Sequence, residues 1–420
     1  MISYNVTIYT YFRELLIFVK REIIVEKHPF TVHVPQAILD DLKDRLAYTR
    51  WPDEVENAGW DYGTNRHYLK SLVDYWQHEF DWRAQEKKLN QFAHFREHID
   101  GLGIHFIHER GRGENPLPIL LTHGWPGSFF EMFKLIPLLT DPEKHGGDPT
   151  DAFDVIVPSL PGFGFSDRPT VRGMATMQTA ELWARLMRDV LGYSHFAAAG
   201  GDIGSGVTQR LALAHPELLV GIHLTYLSVH ASLPEQPNLS EEEQHYLQVV
   251  QQWSQEEGAY SALHSTKPQT LAYGLNDSPV GLAAWIIEKF RAWSDCNGEV
   301  EQRFSKDELL TNIMLYWSTE TISSSVRMYY ENAHTLPKLR PEQHISVPAG
   351  IALFPKEISL PPREWAERLL LVQRWTMMPR GGHFAAMEEP ELLAEELRAF
   401  FRPFRSEKTN VTISPMPRNS

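Results

Sequence analysis

The stretch 195-HFAAAGGDIGSGVTQRLALAH-215 decides how the rest of the chain is read. A short apolar run ends in two glycines, and an amphipathic segment follows Asp202. That pattern reads as a buried strand turning sharply into a helix, with Asp202 at the turn. Gly200, Gly201, Gly204 and Ser205 crowd it. A turn of the form small-x-nucleophile-x-small presents one side chain at the top of a sheet, near a helix N-terminus. Aspartate is also a common helix cap. A simple cap does not need small residues on both sides, so the crowding argues for a functional carboxylate.

Similar apolar runs recur on both sides: 117-LPILLTHG-124, 153-FDVIVPSLPG-162, 221-GIHLTYL-227, 347-VPAGIALFPKE-357 and 374-RWTMMPRGGHF-384. Continuous runs of this kind suit strands buried on both faces of a parallel sheet. Helical segments alternate with them, such as 176-TMQTAELWARLMRDVLG-192 with Gly192 as its C-cap, and 389-EPELLAEELRAFF-401. Strand–helix alternation means an α/β fold with a mostly parallel sheet flanked by helices. The alternation stops between 228 and 346, where the text is helical and rich in Tyr and Trp. The economical reading is a helical lid inserted into one sheet, over the strand ends where open sheets bind ligands.

Two helices precede the sheet. In 35-PQAILDDLKDRLAYTRWP-52, Ile38, Leu42 and Leu46 form one stripe and Pro52 is the expected stop. In 68-YLKSLVDYWQHEF-80, Leu69, Leu72, Val73, Trp76 and Phe80 share a face. The expected division is therefore an extension at 1–28, an N-terminal segment at 29–98, a core at 99–227 and 347–403, a lid at 228–346 and a tail at 404–420.

Composition narrows the function classes. The 420 residues are 42% hydrophobic and 22% charged, with a formal net charge of −14. Such a surface disfavours nucleic acid and anionic membranes. Cys296 is the only cysteine, which excludes an intrachain disulfide and fits a reducing, cytoplasmic compartment. No Cys/His cluster has zinc-finger spacing, and His105 and His108 read as strand histidines, so neither metal nor cofactor is expected. Residues 1–28 carry Arg13, Glu14, Lys20 and Arg21, so they offer no apolar run long enough to span a bilayer. Peripheral association through that segment is left open, as is a homodimer.

Two further turns carry chemistry. The loop 122-THGWPGS-128 follows a central strand and can aim the backbone N–H of Trp125 at the nucleophile. With the N–H of Ile203 it would form an oxyanion hole. In 380-RGGHFAAMEEPE-391, His383 follows the last strand, in the chain order expected of a catalytic base. The acid that orients it should follow the preceding strand. Glu357 holds that place; Glu364, on the next helix, is the rival.

With these motifs the sequence resembles the microsomal-type epoxide hydrolases of the α/β-hydrolase fold. The match is carried by HGWPGS at 123–128, PGFGFSD at 161–167, GGDIGS at 200–205, LYWSTETISSSVRMYYEN at 315–332, FPKE at 354–357 and GGHFAAMEEPELL at 381–393. TRWPD at 49–53, FDWR at 80–83 and IHFIHE at 104–109 extend it into the N-terminal segment. The resemblance implies Asp202 as nucleophile, Glu357 as relay acid and His383 as base. It also implies two lid tyrosines that open the epoxide, placed by motif at Tyr260 and at Tyr329, with Tyr330 adjacent. Trp125, Phe163, Ile203 and Phe384 are the expected substrate contacts. The partners implied are a small apolar epoxide and water. Several relatives have tryptophan where this chain has Ile203, which would make that wall aliphatic.

The aspartate has a chemical reason of its own. A serine attacking an sp³ carbon would leave an ether that water does not cleave at neutral pH. A carboxylate leaves an ester, which water can hydrolyse in a second step. Asp ionises near pH 4, so the first attack needs no base, and His383 is free to activate water. A haloalkane dehalogenase would use the same logic, but needs halide-binding donors that Ile203 lacks. A non-catalytic ligand-binding relative is the third reading.

Overall fold

The computed structural model describes residues 27–227, 239–337 and 343–405. The expectations for 1–26 and for 406–420 lie outside the described residues.

Nine strands form one sheet in the order β1-β2-β3-β5-β4-β6-β7-β8-β9. Strands β1 (Pro29–Phe30), β2 (His94–Ile99) and β3 (Leu102–Glu109) are antiparallel to their neighbours. The remaining six are mutually parallel: β4 (Leu117–Thr122), β5 (Phe153–Pro158), β6 (Phe196–Gly200), β7 (Leu219–Leu224), β8 (Ile345–Leu353) and β9 (Leu370–Met377). Every residue of β4, β5 and β6 is buried, which is why their sequences read as unbroken apolar runs. The expected division between 98 and 99 runs through β2, so the N-terminal segment supplies one edge of the same sheet. Asp100 and Gly101, both in the left-handed region, turn β2 tightly into β3.

The chain runs from β4 outward to β5 on one side and then back to β6 on the other. That reversal makes the β4/β6 crevice the switch point where ligands bind in open sheets. Thr122 is level with Gly200 in the ladder, so the loop after β4 and the turn after β6 emerge side by side.

The two N-terminal helices differ slightly from expectation. The first spans Gln36–Ala47 and stops well short of Pro52. Beyond it the Thr49 hydroxyl donates to the carbonyls of Leu46 and Arg45, satisfying the last turn before proline is reached. The second spans Arg66–His78 because the Asn65 side chain caps the Tyr68 N–H; Phe80 lies beyond its end yet still packs on the core. The helix starting at Thr176 is regular to Arg185, then widens into a π-turn over Leu186–Val190 before Gly192 at φ +75°.

Between β7 and β8, which are neighbours in the sheet, the helices Glu241–Glu256, Ala259–Thr266, Pro268–Asp277, Pro279–Ala292, Lys306–Thr319 and Ile322–Thr335 are inserted. His105 and His108 are buried strand residues. His105 hydrogen-bonds His94 and Ser159, and His108 bonds Tyr193. Among the described residues no helix is long and apolar enough to cross a membrane, and no cluster of three His, Cys, Asp or Glu could hold a metal ion.

Candidate active site

Asp202 opens the helix Asp202–Ala214 with φ +46°, a strained angle for a residue with a side chain. Gly201 takes the cap position, and no side chain caps the helix, so Asp202 is not serving as a cap. Its Oδ1 instead accepts the backbone N–H of Trp125 at 2.8 Å from across the β4/β6 crevice. The N–H of Ile203 also donates to this carboxylate. Close approach explains the small residues of the turn. A Cβ on Gly204 would lie 2.0 Å from the Thr122 carbonyl oxygen, and one on Gly124 would lie 2.3 Å from Asp202 Oδ1.

His383 sits on the loop after β9. Its own N–H donates to the Trp293 carbonyl at 2.9 Å, and the next N–H, of Phe384, goes to Glu388. The imidazole lies between two carboxylates. Nδ1 is 2.6 Å from Glu357 Oε1, and Nε2 is 3.7 Å from Asp202 Oδ2. Glu357 comes from the turn directly after β8, whereas Glu364 bonds Ser240 far from the imidazole. Burial alone would lower the His383 pKa; Glu357 first, then Asp202 and Glu131, raise it to about 9. Burial raises the Asp202 pKa, opposed by the His383 charge and by the two amide donors.

The lid closes over this constellation with aromatic rings. Tyr260 stacks on Trp125 with centroids 5.4 Å apart and planes at 11°, and the Tyr329 ring meets Trp125 edge-on at 6.0 Å. The two phenols hydrogen-bond each other. Burial and the nearby Asp202 charge hold both well above the ordinary phenol range, so both keep their protons. Tyr330 points elsewhere and stacks on His334 at 4.0 Å. Phe384 borders the cavity beside Asp202 and stacks on Phe290. Ile203 is half-buried at the helix start. Phe163, an expected substrate contact, is fully buried against His123 and Tyr316 and does not border that cavity.

The site also holds residues that sequence reasoning did not single out. His264 packs edge-on against Trp125 at 4.7 Å and Tyr329 at 5.0 Å, and burial pushes its pKa down to about 3. Trp293 lies 5.1 Å from the His383 ring. Glu131 borders the same cavity as Asp202 and His383. His264 stands four residues after Tyr260, one helical turn along the same face, a spacing that could have marked it.

The chain matches the family model for the epoxide hydrolase N terminus over residues 27–132 and that for the alpha/beta hydrolase fold over 118–270. It is 49% identical to a putative epoxide hydrolase of Stigmatella aurantiaca over 379 residues, covering 90% of this chain and 85% of that one. It is 40% identical to epoxide hydrolase 1 of Oryctolagus cuniculus, covering 89% and 88%. The chain belongs to the epoxide hydrolase family. Among solved epoxide hydrolases, that of Aspergillus niger superposes with a TM-score of 0.80 at 33% identity, over 91% of this chain and 97% of that one. The juvenile hormone epoxide hydrolase of the silkworm Bombyx mori superposes with a TM-score of 0.78 at 31% identity, covering 91% and 95%. The α/β-hydrolase fold expected from sequence is thus shared with family members of known structure.

Proposed function

We propose that this chain hydrolyses an apolar epoxide to a vicinal diol in two steps, through an ester on Asp202. The observation that carries the reading is the carboxylate itself. Oδ1 accepts the Trp125 N–H, the Ile203 N–H donates to the same carboxylate, and Oδ2 is the oxygen nearer His383.

In the first step Oδ2 attacks a ring carbon and the C–O bond of the epoxide breaks. The oxygen leaves as an alkoxide. Tyr260 and Tyr329, protonated and joined by a hydrogen bond, stabilise it and supply a proton. In the second step His383 takes a proton from water, whose oxygen attacks Cγ of Asp202. The electron pair moves to Oδ1, where the Trp125 N–H is already in place, with the Ile203 N–H donating to the same carboxylate. Collapse breaks the Cγ–O bond to the alkyl group and the diol leaves with the proton from His383. Asp202 keeps one oxygen from water as a carboxylate, and the second water proton restores the phenol that protonated the alkoxide. Glu357 fixes the imidazole and stabilises its cation.

The aromatic walls, Trp125, Tyr260, Tyr329, His264 and Trp293, favour an apolar substrate. The dehalogenase reading has one point in its favour: the indole N–H groups of Trp125 and Trp293 are buried without partners. A single turnover with styrene oxide in ¹⁸O-water tests the proposal. The label is expected in the peptide containing Asp202. Label found only in the diol would overturn the ester, and halide release from chloroalkanes without diol formation would favour the rival.

A further inference from the structure

The two-step chemistry leaves open how water reaches an ester sealed beneath an aromatic lid. Glu131 lies on the single turn Phe129–Met132 that follows the loop carrying Trp125. Its carboxyl folds back over that loop. A Cβ on Gly127 would fall 1.4 Å from Glu131 Oε1, and the Gly124 N–H donates to the same carboxyl. Glycine at 127 is therefore a requirement of where Glu131 sits.

Glu131 borders two cavities and is the residue common to both linings. The inner one measures about 40 Å³ and lies against Asp202 and His383. About three or four waters would fill it, at about 10–15 Å³ each. Its walls are otherwise largely apolar, including Leu121, Met132, Leu135 and Phe384, and among the described residues none between 239 and 337 contributes to it. Trp125 forms part of the boundary, with Tyr260 and Tyr329 against its ring. The outer cavity, of about 320 Å³, carries Gln85, Lys88, Lys134, Asp307 and Glu308 on its border beside Phe130 and Phe133. A buried water needs two to four polar partners. Glu131, Asp202 and His383 border the inner cavity together with His223 and Thr225, which supply its other polar side chains.

We propose that Glu131 holds the hydrolytic water on the sheet side of Asp202, supplied from the outer cavity, while the epoxide occupies the lid side. Water and substrate then reach the same carboxylate from different directions. The water oxygen bonds to Cγ of the ester and its proton passes to His383, with Glu131 accepting or donating the second hydrogen bond that fixes the lone pair. Burial raises the Glu131 pKa, His383 opposes and Asp202 adds to the rise, for a net value of about 8. Conversion of Asp202 to a neutral ester removes one of the charges that Glu131 feels.

This inference rests on the ester mechanism, and the experiment separates the two. Intact-protein mass spectrometry with styrene oxide follows formation and decay of the alkyl-enzyme in Glu131→Gln, Glu131→Ala and His383→Gln. The histidine variant is the control: an adduct there establishes the ester, and its absence sinks both ideas. With the adduct present, both Glu131 variants should form ester at the wild-type rate and lose it about tenfold or more slowly. Gly127→Ala, which displaces the carboxyl without altering it, should act in the same direction. Ester decay within twofold of wild type in both Glu131 variants would overturn the proposal. So would a slowed first step with normal decay.

Discussion

Replacing Asp202 by asparagine should change His383 more than it changes the fold. The free enzyme presents a difficulty: an imidazole held at about 9 is a cation at neutral pH and cannot act as a base. The geometry resolves it. Asp202 Oδ2 is 3.7 Å from His383 Nε2, and both side chains are largely buried. At an effective dielectric of about 20, a unit charge at that separation contributes roughly 4 kcal/mol. That is about a thousandfold in proton affinity. In the proposed mechanism, alkylation turns the carboxylate into a neutral ester and withdraws this contribution, so the imidazole would be released as a base only once there is an ester to hydrolyse. Asparagine at 202 is neutral and nearly the same shape, and so imitates the ester. A ¹⁵N-detected titration of His383 should therefore show it losing its proton at markedly lower pH in Asp202→Asn than in wild type. The sign for turnover follows: falling pH protonates His383 in the ester and stops the second step, while rising pH restores it. His383 titrating at the same pH in both proteins would refute the coupling, as would ester decay that is flat between pH 5 and 10.

Two further outcomes follow from the geometry. Tyr260→Phe or Tyr329→Phe should each slow ester formation about 10- to 100-fold and the double variant about 10⁴-fold, measured by rapid quench; a single variant at the wild-type rate removes that phenol from the mechanism. Gly204→Ala drives a Cβ to 2.0 Å from the Thr122 carbonyl oxygen, so it should destabilise the protein by about 1–3 kcal/mol in urea and lower turnover. Unchanged denaturation midpoint and turnover would mean that the turn does not need its close contact with β4.

What could be read ahead of the structure was short-range. The strand-to-helix turn at Asp202 announces itself because steric crowding acts between residues a few positions apart. The same holds for the loop after β4 and the turns after β8 and β9, and together these carry the candidate nucleophile, acid and base. The adjacent tyrosines were a matter of helical phase. Ile322, Val326 and Tyr329 follow a 4-then-3 spacing along one face, while Tyr330 faces the next turn and its His334. That phase was legible and went unused. Glu131 was not legible: its role comes from folding back over Gly127 into a cavity whose other walls lie on distant segments. The expected 98/99 division falls within strand β2, which belongs to the sheet through its pairing with β3, a contact between segments that a change of local pattern does not report.

The two amides that grip Asp202 have a consequence for evolution. At rest the proposed anion hole is already occupied by the Asp202 carboxylate itself. In the proposed mechanism the group stays beside the same donors as carboxylate, as ester and as tetrahedral anion, so its charge changes while the dipoles around it stand still. A serine at 202 would have one oxygen instead of two, leaving the N–H groups of Trp125 and Ile203 facing an empty place. The path from this site to an esterase therefore demands more than one codon: the loop after β4 would have to find another acceptor for its idle state.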